Sequence, residues 1–269
     1  MNKKKITNNK IFKASPYILL ASVVLGYYHF TNLEQYWIAD LSLAHLFIYS
    51  FGHLEQIFSS NLINVILWIF PILFLIYLLG DTVYLLFKRQ TAYIFTRTDK
   101  RSIWYIKQSI KLLVDISLFY FVYFSGNLII GIINQVPFTK KTDIIVILIV
   151  LTSHIIGSYL ILLLIIFLSF YIKIVHAYLA VLFILFFTIM LSGLIFEHLP
   201  NYLSIIKWFP SAQFITSWHD SSILNLFQED VFIEPIEEFR LSFTYGYYLI
   251  VYLTILIMSI RKIKKIDIV

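Results

Sequence analysis

The chain contains no cysteine, which excludes disulfide bonds, cysteine nucleophiles and cysteine-bound iron–sulfur clusters. Charged residues are scarce as well: they make up 13% of the 269 residues, and 60% of the residues are hydrophobic. Soluble domains carry about a quarter charged residues, so a water-soluble globular fold is excluded. A disordered chain is excluded too, because it could not solvate this much apolar surface. The eight glycines form no G-x-x-x-x-G-K-[ST] loop, so any ATP that drives this protein must be bound by another chain.

Long apolar runs dominate the sequence, and six of them are long enough to cross a membrane. A helix rises about 1.5 Å per residue, so about 20 apolar residues cover the roughly 30 Å of hydrocarbon. The first run follows a basic stretch but precedes no small-x-small cleavage site, so we expect it to stay uncleaved. The sequence therefore predicts an all-α integral membrane protein with six transmembrane helices, in a single domain over residues 1–269. The predicted spans are Ser15–Phe30, Leu62–Phe87, Leu112–Asn134, Ile144–Ile172, Ala177–Phe196 and Phe243–Ile260.

The uneven distribution of lysine and arginine predicts the orientation of these spans. Seventeen of the 21 lie at the two termini, between spans two and three, or between spans four and five, and four lie in the other loops. Cytoplasmic loops carry the excess of Lys and Arg, so both termini are expected in the cytosol. We expect a multi-pass protein of the cell membrane, in a bacterial plasma membrane. The net charge of +6 is then explained by topology and needs no nucleic-acid partner.

Two loops on the expected outer side carry apolar residues of their own. The first, 31–61, is expected to lie at the outer interface. The last, 197–242, contains prolines that predict breaks between short helices, and part of it is expected to re-enter the outer leaflet. His45, His53 and Glu55 in the first loop could share a surface metal ion, but a hydrated interfacial cluster is the favoured interpretation.

The cytosolic loop between spans two and three is basic and aromatic, and therefore amphipathic. Residues 88–111 contain seven Lys and Arg together with several aromatic side chains. Thr98 or Asp99 can cap a helix, and no breaker follows before Asn134, so we expect one helix over Lys100–Asn134. Its 35 residues would extend about 50 Å, so its start should project into the cytosol. Such a projection suits lipid headgroups or a protein partner.

Two acidic residues lie inside predicted spans, and both are near the cytosolic boundary. Asp115 is four residues from Lys111, and Asp81 is seven residues from Lys88, so ion pairing at the inner boundary is favoured over a proton relay. The middle of each span is free of charged residues, which argues against a proton- or sodium-driven carrier. Pro71, in the middle of span two, is a candidate hinge or a static kink.

Candidate catalytic residues are few. His154 and Ser158 are one helical turn apart in span four and could pair as base and nucleophile, but no third orienting group is near them in the sequence. A packing role is therefore favoured for both. Glu237 and Glu238 form an acidic pair in an outer loop beside Pro235, where we expect them to be solvated.

The segment Phe95-Thr96-Arg97-Thr98-Asp99-Lys100-Arg101-Ser102-Ile103-Trp104 resembles the cytosolic segment of type-2 ATP-binding-cassette exporter permeases. Six spans, cytosolic termini and a long final outer loop are similar to that family as well. The resemblance implies a single permease domain that is not an enzyme and binds no cofactor or metal. Two permease subunits, identical or related, would sit on two cytosolic ATPase subunits, which bind ATP and Mg²⁺. The substrate would pass between the permease subunits as a hydrophobic or amphipathic molecule such as a peptide, in export or immunity.

The resemblance also implies that the loop at 88–107 couples the permease to the ATPase. Basic residues would pair with ATPase acids, and apolar ones would be buried as anchors, because such residues dominate interfaces. Two other classes of function remain open: a membrane-embedded hydrolase or protease, and a non-transporting immunity or scaffold protein. The expected coupling residues are Phe95, Arg97, Asp99, Lys100, Arg101, Ile103 and Trp104.

Overall fold

The computed structural model describes residues 10–36, 41–54, 62–80, 82, 101–138, 141–224 and 235–264. A π-helical turn, Ile48–Gly52, continues the second helix, and short 3₁₀ turns lie between Pro200 and Trp218. These residues contain no β-strand. The α-helices among them are α1 (Lys10–Leu33), α2 (Leu43–Phe47), α3 (Leu62–Leu79), α4 (Arg101–Ile133), α5 (Lys141–Ser169), α6 (Ile174–His198) and α7 (Leu241–Lys264).

Six of these helices are long and apolar enough to cross a membrane, which confirms the predicted all-α transmembrane architecture. Helix α4 matches its expected extent of Lys100–Asn134 to within one residue at each end. Helix α1 begins at Lys10, five residues before the predicted span, and contains Pro16. Proline cannot donate to the carbonyl four residues earlier. The Ser15 hydroxyl donates to that carbonyl, of Phe12, at 2.8 Å, so the helix continues through the proline.

Helices α1 and α4 approach each other closely through small residues. A Cβ placed on Gly126 would lie 2.7 Å from the Cβ of Ser22, closer than real side chains come. The Ser22 hydroxyl donates to the backbone carbonyl of Tyr123, and the Asn127 amide donates to the Ser22 hydroxyl at 3.2 Å. Small residues allow this close approach. In a membrane the hydrophobic effect does not drive helices together, so packing and hydrogen bonds across the contact stabilise the pair.

Helix α5 lies at the centre of the bundle. Buried residues make up 56% of its most apolar stretch, against 22% in α1 and in α7. It is apolar on all sides, and helices of that kind are surrounded by protein or by lipid. Helices α4, α6 and α7 pack around it.

Residues 41–54, which belong to the loop expected at the outer interface, pack inside the helical bundle. Helix α2 and the π-helical turn, residues 43–52, are buried along their whole length. Two indoles hold the end of this segment: Trp68 Nε1 donates to the carbonyl of Phe51 at 2.9 Å, and Trp218 Nε1 donates to that of Leu54 at 3.1 Å. Non-helical backbone at membrane depth needs such protection by protein. We call residues 41–54 the inserted segment.

The charged residues of the described chain lie at the two ends of the bundle and carry opposite signs. One end, formed by the starts of α1 and α4, the α5–α6 turn and the end of α7, holds nine Lys and Arg and one acid, Asp115. The opposite end holds six acids and three bases. We call the first the basic end; its basic residues are Lys10, Lys13, Arg101, Lys107, Lys111, Lys173, Arg261, Lys262 and Lys264.

Candidate functional site

The first turns of α4 contain three of the residues expected to couple the chain to an ATPase. Ile103 is 47% exposed, and Trp104 is half-buried against the apolar core. Arg101 begins the helix. Phe95, Arg97, Asp99 and Lys100 lie outside the described residues.

The start of α4 is braced against the rest of the basic end. Tyr105 is buried, and its ring lies 6.3 Å from that of Phe170 in the α5–α6 turn. Lys262 of α7 lies over the ring of Tyr171 in the same turn, with its Nζ 4.4 Å from the ring centre. The start of α4, the α5–α6 turn and the end of α7 therefore meet in one surface.

Of the two acidic residues in the predicted spans, the structure describes Asp115. Asp115 is buried, and the charge of Lys111, one turn earlier on α4, acts on its carboxyl group. Asp81 lies outside the described residues. Pro71 is buried within α3, which continues from Leu62 to Leu79. Its role as a hinge stays a prediction.

His154 lies deep in the bundle, and four aromatic rings surround it. It is 13 residues after the start of α5, about 20 Å along the helix axis. The rings of Phe51, Tyr120, Phe124 and Phe214 approach it edge-on, with centroids 5.6–6.5 Å away. Phe51 belongs to the inserted segment, so that segment reaches nearly to the middle of the bundle.

The structure brings His154 and Ser158 into different hydrogen bonds. The Ser158 hydroxyl lies 2.6 Å from the hydroxyl of Tyr120 on α4. The Nδ1 atom of His154 lies 2.9 Å from the carbonyl of Val150, to which it donates. Ser158 thus ties α5 to α4, whereas the hydrogen bond of His154 lies within α5 and its ring packs among the surrounding aromatic rings. Both arrangements are in keeping with the packing role favoured from the sequence.

A buried polar network connects the 3₁₀ turns to α7, and nothing in the sequence pattern indicated it. His219 Nε2 lies 2.7 Å from the Thr244 hydroxyl, which lies 2.8 Å from the Gln213 amide oxygen. His219 Nδ1 donates to the carbonyl of Ile215 at 3.0 Å, and the imidazole stacks on Phe239 at 4.1 Å. The network fastens the segment between α6 and α7 to the bundle. Its members are scattered singly among apolar residues, which explains why no motif revealed them.

Burial controls the protonation of His219. Desolvation disfavours the charged imidazole and lowers the pKa of His219 from 6.5 to about 4. The carbonyl of Ile215 opposes this effect, because it accepts a hydrogen bond from the ring. Burial outweighs it, so the imidazole of His219 is neutral at neutral pH.

The remaining candidate residues form no catalytic or metal-binding cluster among the described residues. Glu237 and Glu238 are exposed, and Glu238 pairs with Lys207 at 3.7 Å, as expected of a solvated acidic loop. His45 is bonded to Ser42 at the start of α2, and Glu55 lies outside the described residues. No group of three potential metal ligands occurs in the part of the chain that the structure describes.

A small polar cavity lies beside the inserted segment. It has a volume of about 20 Å³, and its lining includes His29, Asn32, His53 and Asn64. That volume holds about one water molecule, which polar groups of this kind can bind.

No family model, curated protein or solved structure matches this chain.

Proposed function

We propose that this chain is the permease subunit of an ATP-driven exporter and that the basic end docks on a separate ATPase. The observation that carries the proposal is the start of α4. Its 33 residues extend about 50 Å, whereas the hydrocarbon core is about 30 Å thick. The excess lies at the start, because Arg101, Lys107 and Lys111 precede a long apolar stretch. These first turns, about 16 Å in length, would stand in the cytosol.

The side chains of this projection suit a protein partner. Ile103 is exposed and Trp104 is partly so, and buried aromatic and aliphatic anchors of this kind dominate interfaces. The surrounding cations would be complementary to an acidic groove, which favours fast and specific association. The contacts of Tyr105 and Lys262 join this surface to α5 and α7. A displacement of the surface on docking would therefore be transmitted to three spans.

The placement of charge supports ATP as the source of energy. In the described residues, the charged side chains lie at the ends of the helices, away from the membrane midplane, where carriers driven by ion gradients place ionisable groups. ATP and Mg²⁺ would therefore be bound by the partner ATPase, and closure of two ATPase subunits would rock the spans as rigid bodies. The positive-inside rule supports a cytosolic basic end in a bacterial plasma membrane.

The cargo is proposed to be hydrophobic or amphipathic, such as a peptide. Helix α6 presents Phe183 and Phe187 on an exposed face, with their rings stacked 5.8 Å apart. A path between this chain and a second permease subunit, identical or related, would be lined by such apolar faces.

Copurification and stimulated ATP hydrolysis test the proposal. The chain should copurify with an ATPase encoded beside it. Replacement of Arg97, Arg101 and Trp104 by Ala should abolish cargo-stimulated hydrolysis and leave membrane insertion intact, because these side chains precede the apolar stretch of α4.

The opposite end of the bundle offers a matched control. Lys141, Arg240 and Trp208 are the same kinds of residue at the acidic end, and their replacement by Ala should leave stimulated hydrolysis near the wild-type level. Full transport by the first triple variant would contradict the docking assignment. Protection of cells with a catalytically dead ATPase would instead favour an immunity protein that sequesters its target directly.

A further inference from the structure

A cavity of about 130 Å³ lies between α5, α6 and α7. Leu160 and Ile161 line it from α5, Leu185 from α6, and Val251 from α7. The lining contains no charged residue, and two tyrosines carry its only side-chain polar atoms.

Few polar groups lie at the cavity, and the hydroxyl of Tyr248 is already hydrogen-bonded to the protein. The Tyr248 hydroxyl lies 3.3 Å from the carbonyl of Ser153 and 3.2 Å from that of Gln213, so it already has hydrogen-bond partners in the backbone. Pro210 has no N–H to offer, and the helix backbones are bonded internally. A polar ligand would lose its hydrogen bonds to water and find few replacements here, so the cavity selects an apolar one.

The cavity lies at hydrocarbon depth. Leu185 is 11 residues into the 25 of α6, and Val251 is 10 residues into the 24 of α7. Ile184 lines the cavity and is 41% exposed, so the apolar wall continues onto the outer face of the bundle. At this depth the surroundings of a membrane protein are acyl chains, which reach the opening without crossing a polar layer.

One end of the cavity is held rigidly. A Cβ on Gly157 would lie 2.5 Å from the ring of Phe214, so that ring rests directly on the backbone of α5. Phe214 also contacts His154 and Trp68, with ring centroids 5.6 and 6.3 Å away. Movement of the Phe214 ring into the cavity would break these contacts.

The size of the cavity decides between occupants. An apolar cavity of about 150 Å³ in another protein binds benzene, so about 130 Å³ suits a short length of hydrocarbon. A helix is about 10 Å across and does not fit.

We propose that this cavity binds part of one acyl chain of a membrane lipid. The bound acyl chain would fill the space between α5, α6 and α7 and contact the side chains that line it. This inference does not depend on an ATPase partner.

Photolabelling in vesicles tests the proposal on the full chain. The vesicles contain phosphatidylcholine with a diazirine in the middle of one acyl chain, and labelled positions are mapped by mass spectrometry after irradiation. Leu185 is 3% exposed and lines the cavity, whereas Ile189, one turn later, is 0% exposed and does not. We expect at least tenfold more label on Leu185 than on Ile189. Equal labelling of the two would overturn the proposal.

Filling the cavity provides the second arm. Val251→Phe should reduce labelling of Leu185 at least fivefold, whereas Ile250→Phe, at a position 68% exposed on the same helix, should not. If Val251→Phe fails to insert, Ile184→Phe fills the opening from the membrane side and takes its place. Unchanged labelling in a filled and inserted variant would contradict the assignment.

A second copy of the chain is the competing occupant. Since the natural chain has no cysteine, Val251→Cys carries a single thiol. Disulfide-linked dimers of this variant, together with weak lipid labelling at Leu185, would assign the cavity to a side chain of another copy and overturn the lipid assignment.

Discussion

The contact between α1 and α4 depends on the absence of a side chain at position 126. In Gly126→Ala the new methyl group would lie 2.7 Å from the Cβ of Ser22 and 3.1 Å from the backbone nitrogen of Val23. The backbone atom cannot move without shifting α1, so the helices must separate. Overpacking of this kind costs about 1–3 kcal/mol. Separation also weakens the hydrogen bond from Ser22 to Tyr123, which is worth about 1 kcal/mol.

Helix propensity opposes this cost and must be measured separately. Alanine favours a helix over glycine by about 1 kcal/mol. Gly246 lies within α7, and a Cβ there would meet nothing within 4 Å, so Gly246→Ala measures the propensity gain alone. We expect Gly246→Ala to be neutral or stabilising by up to about 1 kcal/mol, and Gly126→Ala to be destabilised by about 1–4 kcal/mol relative to it, because the overpacking and the weakened hydrogen bond both contribute.

Unfolding in mixed micelles by increasing amounts of a denaturing detergent, followed by circular dichroism, measures these free energies. Ser22→Gly combined with Gly126→Ala removes the colliding Cβ and should recover part of the lost stability. The reasoning is refuted if Gly126→Ala is as stable as Gly246→Ala. It is also refuted if the double variant is no more stable than the sum of the two single changes implies.

The remaining predictions concern buried hydrogen bonds and are measured by the same unfolding assay. Tyr120→Phe should cost about 1–3 kcal/mol, because it leaves the Ser158 hydroxyl buried without its partner, and adding Ser158→Ala should cost less than the sum of the single changes. The pKa of His219 is lowered from 6.5 to about 4, so the unfolded chain binds the proton more readily. Its stabilising contribution, roughly 3 kcal/mol, is complete above pH 6.5 and is lost as the pH falls to 4. The contrast between wild type and His219→Gln isolates this term, since Gln213, Thr244 and Phe239 around the ring are uncharged; parallel pH profiles would contradict it. Trp218→Phe should destabilise the chain by about 1–3 kcal/mol, because the Leu54 carbonyl loses its donor. A variant as stable as wild type would show that this bond does not hold the inserted segment.

The start of α4 shows how far sequence patterns can reach. A capping residue and an absence of breakers predicted its extent to within one residue at each end, because these signals are local. The docking role of the first turns of α4 cannot be predicted from such local signals. It depends on a partner surface, so it stays a proposal supported by charge and exposure.

Sequence patterns did not predict that the inserted segment packs inside the bundle. Its apolar residues suit an interface as well as a protein interior, and composition cannot distinguish the two. The distinction is made by Trp68 and Trp218, whose indoles bind carbonyls 17 and 164 residues away in the chain. The same holds for His154 and Ser158, whose spacing of one turn suggested a pair. Helix α4 supplies Tyr120 to Ser158 instead.

The sequence by itself determined that the chain is a helical membrane protein with six spans and with charge of opposite sign at its two ends. A bilayer requires every spanning segment to satisfy its own backbone and be apolar, so these properties can be read segment by segment. The tertiary structure decided the rest: the entry of residues 41–54 into the bundle, the hydrogen bonds of His154, Ser158 and His219, and the cavity between α5, α6 and α7. Each of these depends on which segments meet, and no single segment carries that information.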